Sequence, residues 1–120
     1  MFTIPVWDLL ASYSGDSKEF SFEWEVYDGY FEDIKFLSPL KFRIKIVSVD
    51  DGVMVLFSHF STQVQYDGKK HTISINEFER HFKKDFDPIS DPNDIQPIDT
   101  KSMSIDIGVV IREEIIMATF

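Results

Sequence analysis

Three cationic side chains occupy alternate positions of one predicted strand, and this arrangement suits contact with a phosphate backbone. Lys41, Arg43 and Lys45 lie within Leu40–Val49, where apolar and charged residues alternate. Alternate side chains of a strand share a face at a spacing of about 6.6 Å. That spacing approaches the phosphate repeat of a nucleic-acid strand. The pattern therefore makes these three residues candidates for RNA contact.

A neighbouring acidic row offers these cations an alternative use. Glu19–Val26 alternates as cleanly, and its outward positions carry three carboxylates, Glu19, Glu23 and Glu25. If the two strands lie side by side, opposite charges form cross-strand pairs, and we favour this explanation over RNA contact. A second small cationic cluster is open to the same two interpretations and consists of Arg80, Lys83 and Lys84.

The histidines and the paired glutamates fit no recognised catalytic or metal-binding pattern. None of His59, His71 and His81 has a second ligand at a spacing that zinc sites use. Glu113 and Glu114 are adjacent on a predicted helix, where neighbouring side chains diverge by about 100°. We expect strand-surface histidines and a pair of glutamates on the solvent side of the helix.

Motifs of the common enzyme classes are also missing. The chain has no cysteine, which excludes thiol catalysis, disulfides and cysteine-containing zinc motifs. Its five glycines form no phosphate-binding loop, dinucleotide fingerprint or nucleophile elbow. The acidic run Asp85–Asp94 lacks the glycine and the bidentate glutamate of a calcium loop. The sequence predicts a non-enzymatic protein without cofactor, metal or small-molecule substrate.

The composition predicts one acidic, soluble domain over residues 1–120. Twelve basic residues stand against twenty-one acidic ones, for a net charge of −9. This balance argues against general nucleic-acid binding, so any RNA contact must be local. An acidic surface suits a basic protein partner, although solubility explains it more simply. A start without signal-peptide features and the lack of a membrane-length apolar run predict a cytoplasmic protein.

The N-terminal third predicts short elements followed by one clear strand. We expect an edge strand at Phe2–Val6 and a helical turn at Trp7–Ser12, with Trp7, Leu10 and Ala11 on one side. Glu19–Val26 is the predicted half-buried strand. Tyr27–Ser38 contains a glycine and scattered aromatics, which indicates a loop or an irregular strand that crosses the sheet.

Two hairpins are predicted in the centre of the chain. Leu40–Val49 is followed by Asp50–Gly52, where glycine is expected to supply a positive φ, and then by Val53–Tyr66. The latter strand is long, so we expect a bend or bulge near Ser58. The Asp-Gly pair of Tyr66–Lys69 predicts the second hairpin.

The remaining third predicts one more strand, a loop and a terminal helix. The apolar phase of Lys70–Phe82 slips by one residue, which implies a bulge near Asn76 or a change to helix. Residues 83–102 form an acidic, proline-rich linker or mobile loop, broken by a short strand at Ile95–Ile98. The terminal helix has Asp106 as its cap and an apolar stripe of Ile107, Val110, Ile111 and Ile115. The predicted fold class is α+β, with a mainly antiparallel, bent or barrel-like sheet.

Several segments together resemble the YceD family, bacterial proteins linked to accumulation of large-subunit ribosomal RNA. The terminal segment has the form Ile-Asp-Ile (105–107), a short apolar stretch, the pair Glu113-Glu114, and apolar residues to the end. The other matching segments are Thr3–Leu10, Leu40–Val49, Asp51–Val55 and the Phe-Glu-x-x-Phe motif of Phe78–Phe82.

The resemblance implies a non-enzymatic factor in large ribosomal subunit biogenesis and accumulation of 23S ribosomal RNA. Its partner would be a subunit precursor, bound through RNA or through a basic ribosomal protein. Family members commonly carry Cys-x-x-Cys-Leu where this chain has only Tyr66–Lys69, so a role tied to those cysteines is excluded here. The signature residues that carry over are Asp106, Glu113 and Glu114, and each has a structural explanation. The alternative function is a general acidic interaction adaptor without a ribosomal role.

Overall fold

The computed structural model describes residues 2–92 and 95–119 and consists mainly of β-strands. Thr3–Pro5 (β1) leads into a short helix, Trp7–Leu10 (α1). Six strands follow: Ser17–Trp24 (β2), Ile34–Phe36 (β3), Leu40–Val49 (β4), Gly52–Tyr66 (β5), Lys69–Lys83 (β6) and Ile95–Pro97 (β7). The chain then forms Ser104–Asp106 (β8) and Ile107–Ala118 (α2).

The strands form one large sheet and one small one. The large sheet has the order β2-β4-β5-β6-β7, and β3 pairs with β5 beyond the end of β4. Its pairs are antiparallel except for β6 and β7, which are parallel. The small sheet joins β1, near the start of the described chain, to β8, which immediately precedes α2.

The prediction of an α+β class with a barrel-like sheet is wrong. Strands account for 53 % of the structure and helices for 14 %, so the fold is mainly β with a short N-terminal and a longer C-terminal helix. The sheet is also not closed, because β2 and β7 lie at opposite edges of the strand order. Long strands with alternating burial dominate the centre of the chain. In contrast, α1 has only four residues and α2 has twelve.

Both predicted hairpins are present, but one glycine has a different role from the expected one. Asp67 and Gly68 have φ values of 54° and 73°, as a type I′ turn requires. Gly52 is not among the residues with positive φ. A Cβ at Gly52 would lie 1.9 Å from the backbone oxygen of Phe82, so glycine is needed there for close strand approach.

The predicted irregularities of the two long strands occur together. The register between β4 and β5 shifts by one residue at Lys41/Arg43, opposite Ser58–Ser61, which confirms the bulge near Ser58. His59 lies there with a φ of 53°. In β6 the buried phase changes around Asn76, where the strand continues, so the alternative of a helix is wrong. On one face of the sheet, the residues of β6 are therefore even-numbered before Asn76 and odd-numbered after it.

The core lies between the large sheet and the elements packed on its inner face. Buried positions of β4 include Phe42, Ile44 and Ile46, as the alternation predicts. The stripe of α2 is confirmed, since its four predicted apolar residues are fully buried. The predicted helical turn is present as α1, but its buried residue is Leu9, which is not on the predicted apolar side, and Trp7 is 64 % exposed. Within the described ranges, no helix is both long and apolar enough to span a membrane.

The segment predicted as a linker contains an ordered turn before its short strand. Asp91 accepts hydrogen bonds from the Asp87 backbone N–H and from Lys83, both at 2.8 Å. These donors, the backbone one foremost, hold the pKa of Asp91 below its usual range. Ile95–Pro97 confirms the short strand, and Asp94, counted in the acidic run, lies outside the described residues.

Candidate functional site

The cationic row of β4 lies on the exposed outer face of the sheet and faces the acidic row of β2. Lys41 is opposite Glu23 and Lys45 is opposite Glu19, while Arg43 is opposite Ser21. Lys41 Nζ lies 3.6 Å from Glu23 Oε1. The favoured cross-strand pairing is therefore confirmed in register for two of the three acids. The third, Glu25, lies beyond the end of β2.

A second acidic row limits the use of Arg43 and Lys45 still further. Across the sheet, Ser58 of β5 separates Arg43 from Glu77, and Leu56 separates Lys45 from Glu79. Both glutamates are exposed on the outer face. Carboxylates on two sides offset the positive potential that a phosphate backbone would need.

The other end of the outer face has a different character, and we call it the distal zone. It consists of the outward-facing residues beyond the bulge, Lys35, Lys41, Ser61, Gln63, Gln65, Lys70, Thr72 and Ser74. Lys35 and Lys70 flank Gln65 on the neighbouring strands, which places their Cα atoms about 10 Å apart. Lys41 lies opposite Ser61, which is about 13 Å from Gln65 along β5.

The distal zone is polar and carries little negative charge. Among the described residues, no outward strand position of the distal zone holds a carboxylate. The nearest carboxylate on a neighbouring strand is that of Glu23, which is paired in register with Lys41. Asp67 and Glu32 lie in the turns at its end. An open cavity of about 360 Å³ is lined there by hydroxyl and amide side chains, including Ser61, Gln63 and Thr72. Donors of this kind bind phosphate oxygens.

The predicted second cationic cluster is mostly occupied by internal contacts. Arg80 forms an ion pair with Glu114 of α2, and its guanidinium lies 5.8 Å from the Phe78 ring centroid. Lys83 binds Asp91 at 2.8 Å, a contact that raises the pKa of Lys83. Lys84 is exposed and has no side-chain ion pair within the described residues. Two of these three RNA candidates therefore stabilise the fold.

The three signature residues have separate roles around α2. Asp106 caps the helix, because its Oδ1 accepts a hydrogen bond of 2.9 Å from the Gly108 N–H. Glu114 was expected on the solvent side, which is wrong: it is 12 % exposed and bound to Arg80. Glu113 is partly buried at the edge of a surface cavity.

Replacing Asp106 with alanine should cost about 1 kcal/mol, because the Gly108 N–H at the start of α2 loses its acceptor. Urea unfolding followed by circular dichroism measures this change. Asp106→Asn, whose side-chain oxygen can still accept, should lose less than half as much. Equal losses in the two variants would show that charge, and not capping, is what Asp106 contributes.

The cavity beside Glu113 is an aromatic groove that the sequence did not reveal. Its volume is about 550 Å³, and its lining is Tyr27, Tyr30, Phe31, Asp106, Gly108, Val109, Arg112 and Glu113. The segment before β3 supplies the rings and the first turns of α2 supply the rest. The rings of Tyr27 and Tyr30 pack edge to face, with centroids 5.4 Å apart. In the sequence, the feature that could have indicated this groove is the pair of tyrosines three positions apart in an irregular segment.

The histidines remain outside both surfaces of interest. His59 is exposed at the bulge, and His81 lies 2.7 Å from Asp51. His71 is partly buried on β6, opposite Val64. Across residues 2–92 and 95–119, no group of three or more His, Cys, Asp or Glu side chains is arranged to hold a metal ion.

Comparison with known proteins adds no relative to these observations. No protein-family model, curated protein or solved structure matches the chain. The YceD resemblance therefore stays a prediction from the sequence motifs.

Proposed function

We propose that this protein is a non-enzymatic factor in large ribosomal subunit assembly that contacts ribosomal RNA through the distal zone. The ribosomal role comes from the YceD resemblance alone, and it would be carried out in the cytoplasm. The observation that supports RNA contact is the pair of lysines, Lys35 and Lys70, on outward strand positions free of carboxylates. This moves the RNA hypothesis away from Arg43, Lys45, Arg80 and Lys83.

The number of available cations predicts a weak and salt-sensitive interaction. Two phosphate contacts, from Lys35 and Lys70, give a slope of log affinity against log salt of about −1.4 for a single strand, because Lys41 is paired with Glu23. The net charge of −9 repels RNA at low ionic strength, so RNA can bind only at a local cationic surface. Useful affinity therefore requires a second contact to the same particle, since linked contacts multiply.

The alternative is an acidic interaction adaptor without a ribosomal role. The charge surplus and the aromatic groove favour it, because both suit a basic protein. Cosedimentation with large-subunit precursors at increasing salt separates the two functions. An assembly factor leaves the particle fraction as salt rises, whereas an adaptor stays in the soluble fraction at every salt concentration. Depletion of an assembly factor also lowers the ratio of large- to small-subunit ribosomal RNA.

Charge reversal in the distal zone tests RNA contact directly. The variant Lys35→Glu/Lys70→Glu should bind a large-subunit ribosomal RNA fragment at least about tenfold more weakly, with a salt slope reduced by about 1.4. Both lysines are exposed on strands, so the fold should be retained. Fluorescence anisotropy over a salt series measures both quantities.

Lys45→Glu/Arg43→Glu is the matched control for this experiment. It reverses two exposed charges on the same face, next to Glu19, Glu77 and Glu79. It should weaken RNA binding much less than the distal variant does. Equal effects would show that the whole face acts through its net charge, and no effect of either variant removes RNA contact from the proposal.

A further inference from the structure

The aromatic groove combines an exposed ring, an apolar floor and carboxylates at its edge. Tyr27 is 66 % exposed and Val109 is 43 % exposed, so both offer contact area to a ligand. Tyr30 is held between the rings of Trp24 and Phe31, with T-shaped contacts of 4.9 and 4.8 Å. Two neighbouring rings therefore fix one wall of the groove before any ligand arrives.

The charges around the groove select a cation. The amino end of α2 would attract an anion, but Asp106 already occupies it by accepting from the Gly108 N–H. Arg112 is held by two hydrogen bonds to Asp33. Glu113 makes no ion pair with any residue that the structure describes. The uncompensated charge in the groove is negative.

Tyr30 supports the same conclusion about the local potential. Burial and, next in importance, the negative charge of Asp106 raise the pKa of Tyr30 above its ordinary value. A phenol is protonated at neutral pH even without this shift, so Tyr30 is available as a neutral hydrogen-bond donor. A Cβ at Gly108 would lie 3.4 Å from the Tyr30 hydroxyl, which shows how closely this wall of the groove approaches the helix.

We propose that the groove binds a lysine or arginine side chain from an extended basic segment of a protein partner. The aliphatic part of that side chain packs on Val109 and Phe31, and its charge lies against the Tyr27 ring and the Glu113 carboxylate. The occupant is a protein segment because the cavity is open to solvent, carries uncompensated negative charge and belongs to a protein of net charge −9. This inference does not depend on RNA binding.

Titration with a short peptide of alternating lysine and glycine tests the proposal. Tyr27→Ala and Glu113→Gln should each weaken binding about three- to tenfold in isothermal titration, and the loss from Glu113→Gln should shrink at high salt. In nuclear magnetic resonance spectra of the unaltered protein, the backbone amides of Gly108 and Val109 should shift on peptide addition. Tyr27 is largely exposed and glutamine preserves the volume of Glu113, so both variants should unfold at the same temperature as the unaltered protein.

Glu77→Gln is the matched control, because it removes one negative charge on the outer face of β6. It should change peptide affinity by less than about twofold. The proposal is overturned if both groove variants bind like the unaltered protein, or if Glu77→Gln weakens binding equally. It is also overturned if spermidine binds as tightly as the peptide, since the site would then take a small polyamine. Peptide binding without RNA binding supports the groove and removes the RNA proposal.

Discussion

Gly52→Ala should destabilise the protein by about 3 kcal/mol, although it adds only one methyl group. Gly52 lies at the start of β5, between Val49 on one side and Lys83 on the other. Its added Cβ would fall 1.9 Å from the Phe82 oxygen and 3.1 Å from the Lys83 Cα. These are backbone atoms of a paired strand, so they cannot rotate away, and β6 has to separate from β5 locally. Urea unfolding gives the free-energy change.

Gly108→Ala is the matched control for this prediction. Its added Cβ would lie 3.0 Å from Asp106 Oδ1, which belongs to a side chain that can adjust. Alanine also favours the helix over glycine by up to about 1 kcal/mol. We expect a change of less than about 1 kcal/mol in either direction. A Gly52→Ala protein as stable as Gly108→Ala would mean that the two long strands are not as close at this point as the structure shows.

Arg80→Met should cost about 2–4 kcal/mol, because it leaves the Glu114 carboxylate buried without its partner. The two side chains are 13 % and 12 % exposed, and their ion pair joins α2 to the large sheet. Removing one member of such a pair leaves an uncompensated charge. The double variant Arg80→Met/Glu114→Met should recover most of the loss, since well-packed apolar groups can replace a buried pair. Arg80 Nε has no hydrogen-bond partner within the described structure, so part of the desolvation cost of Arg80 is already uncompensated.

Arg112→Met provides the comparison with a solvent-exposed pair. Arg112 and Asp33 are 44 % and 38 % exposed, so their separation should cost less than about 1 kcal/mol. Chemical unfolding of the three variants, with thermal unfolding as a second measurement, supplies the double-mutant comparison. If the double variant were no more stable than Arg80→Met, the Arg80 contribution would lie in its packing on Phe78 and not in the ion pair.

The strands of the central hairpins could be predicted because their information is local. Alternation places Leu40–Val49 with the bounds that the structure shows, and the Asp-Gly pair at 67–68 identifies a type I′ turn. The excess length of β5 indicated its bulge, because a regular strand of that length would bring the wrong face inward. The cap and stripe of α2 are equally local.

Strand order and fold class could not be predicted in this way. Period-two alternation shows which residues share a face but not which strands lie at the edges. Closure depends on whether β2 meets β7, and nothing in either segment encodes that contact. The role of Gly52 was mistaken for the same reason, since the obstructing oxygen belongs to Phe82 on a strand that returns much later.

The candidate sites divide along the same line. The cationic row of β4 and the acidic row of β2 could be predicted from two local patterns. The position of Glu77 and Glu79 near Arg43 and Lys45 is visible only in the register of β4, β5 and β6. The pairing of Arg80 with Glu114 joins residues 34 positions apart. The aromatic groove joins Tyr27 and Tyr30 to Glu113 over a longer interval. Contacts between residues so far apart in the sequence cannot be predicted from local patterns, because they depend on the fold.

The unequal charge along the outer face gives that face an electric dipole. Lys35 and Lys70 lie beyond the bulge without a paired carboxylate, and on the other side of it Glu19, Glu77 and Glu79 outnumber Arg43 and Lys45. A polyanion repels the protein as a whole but attracts the distal zone, so it turns the molecule before contact occurs. Orientation would then be selected during approach, over distances of about one Debye length, and added salt would reduce this selection along with affinity.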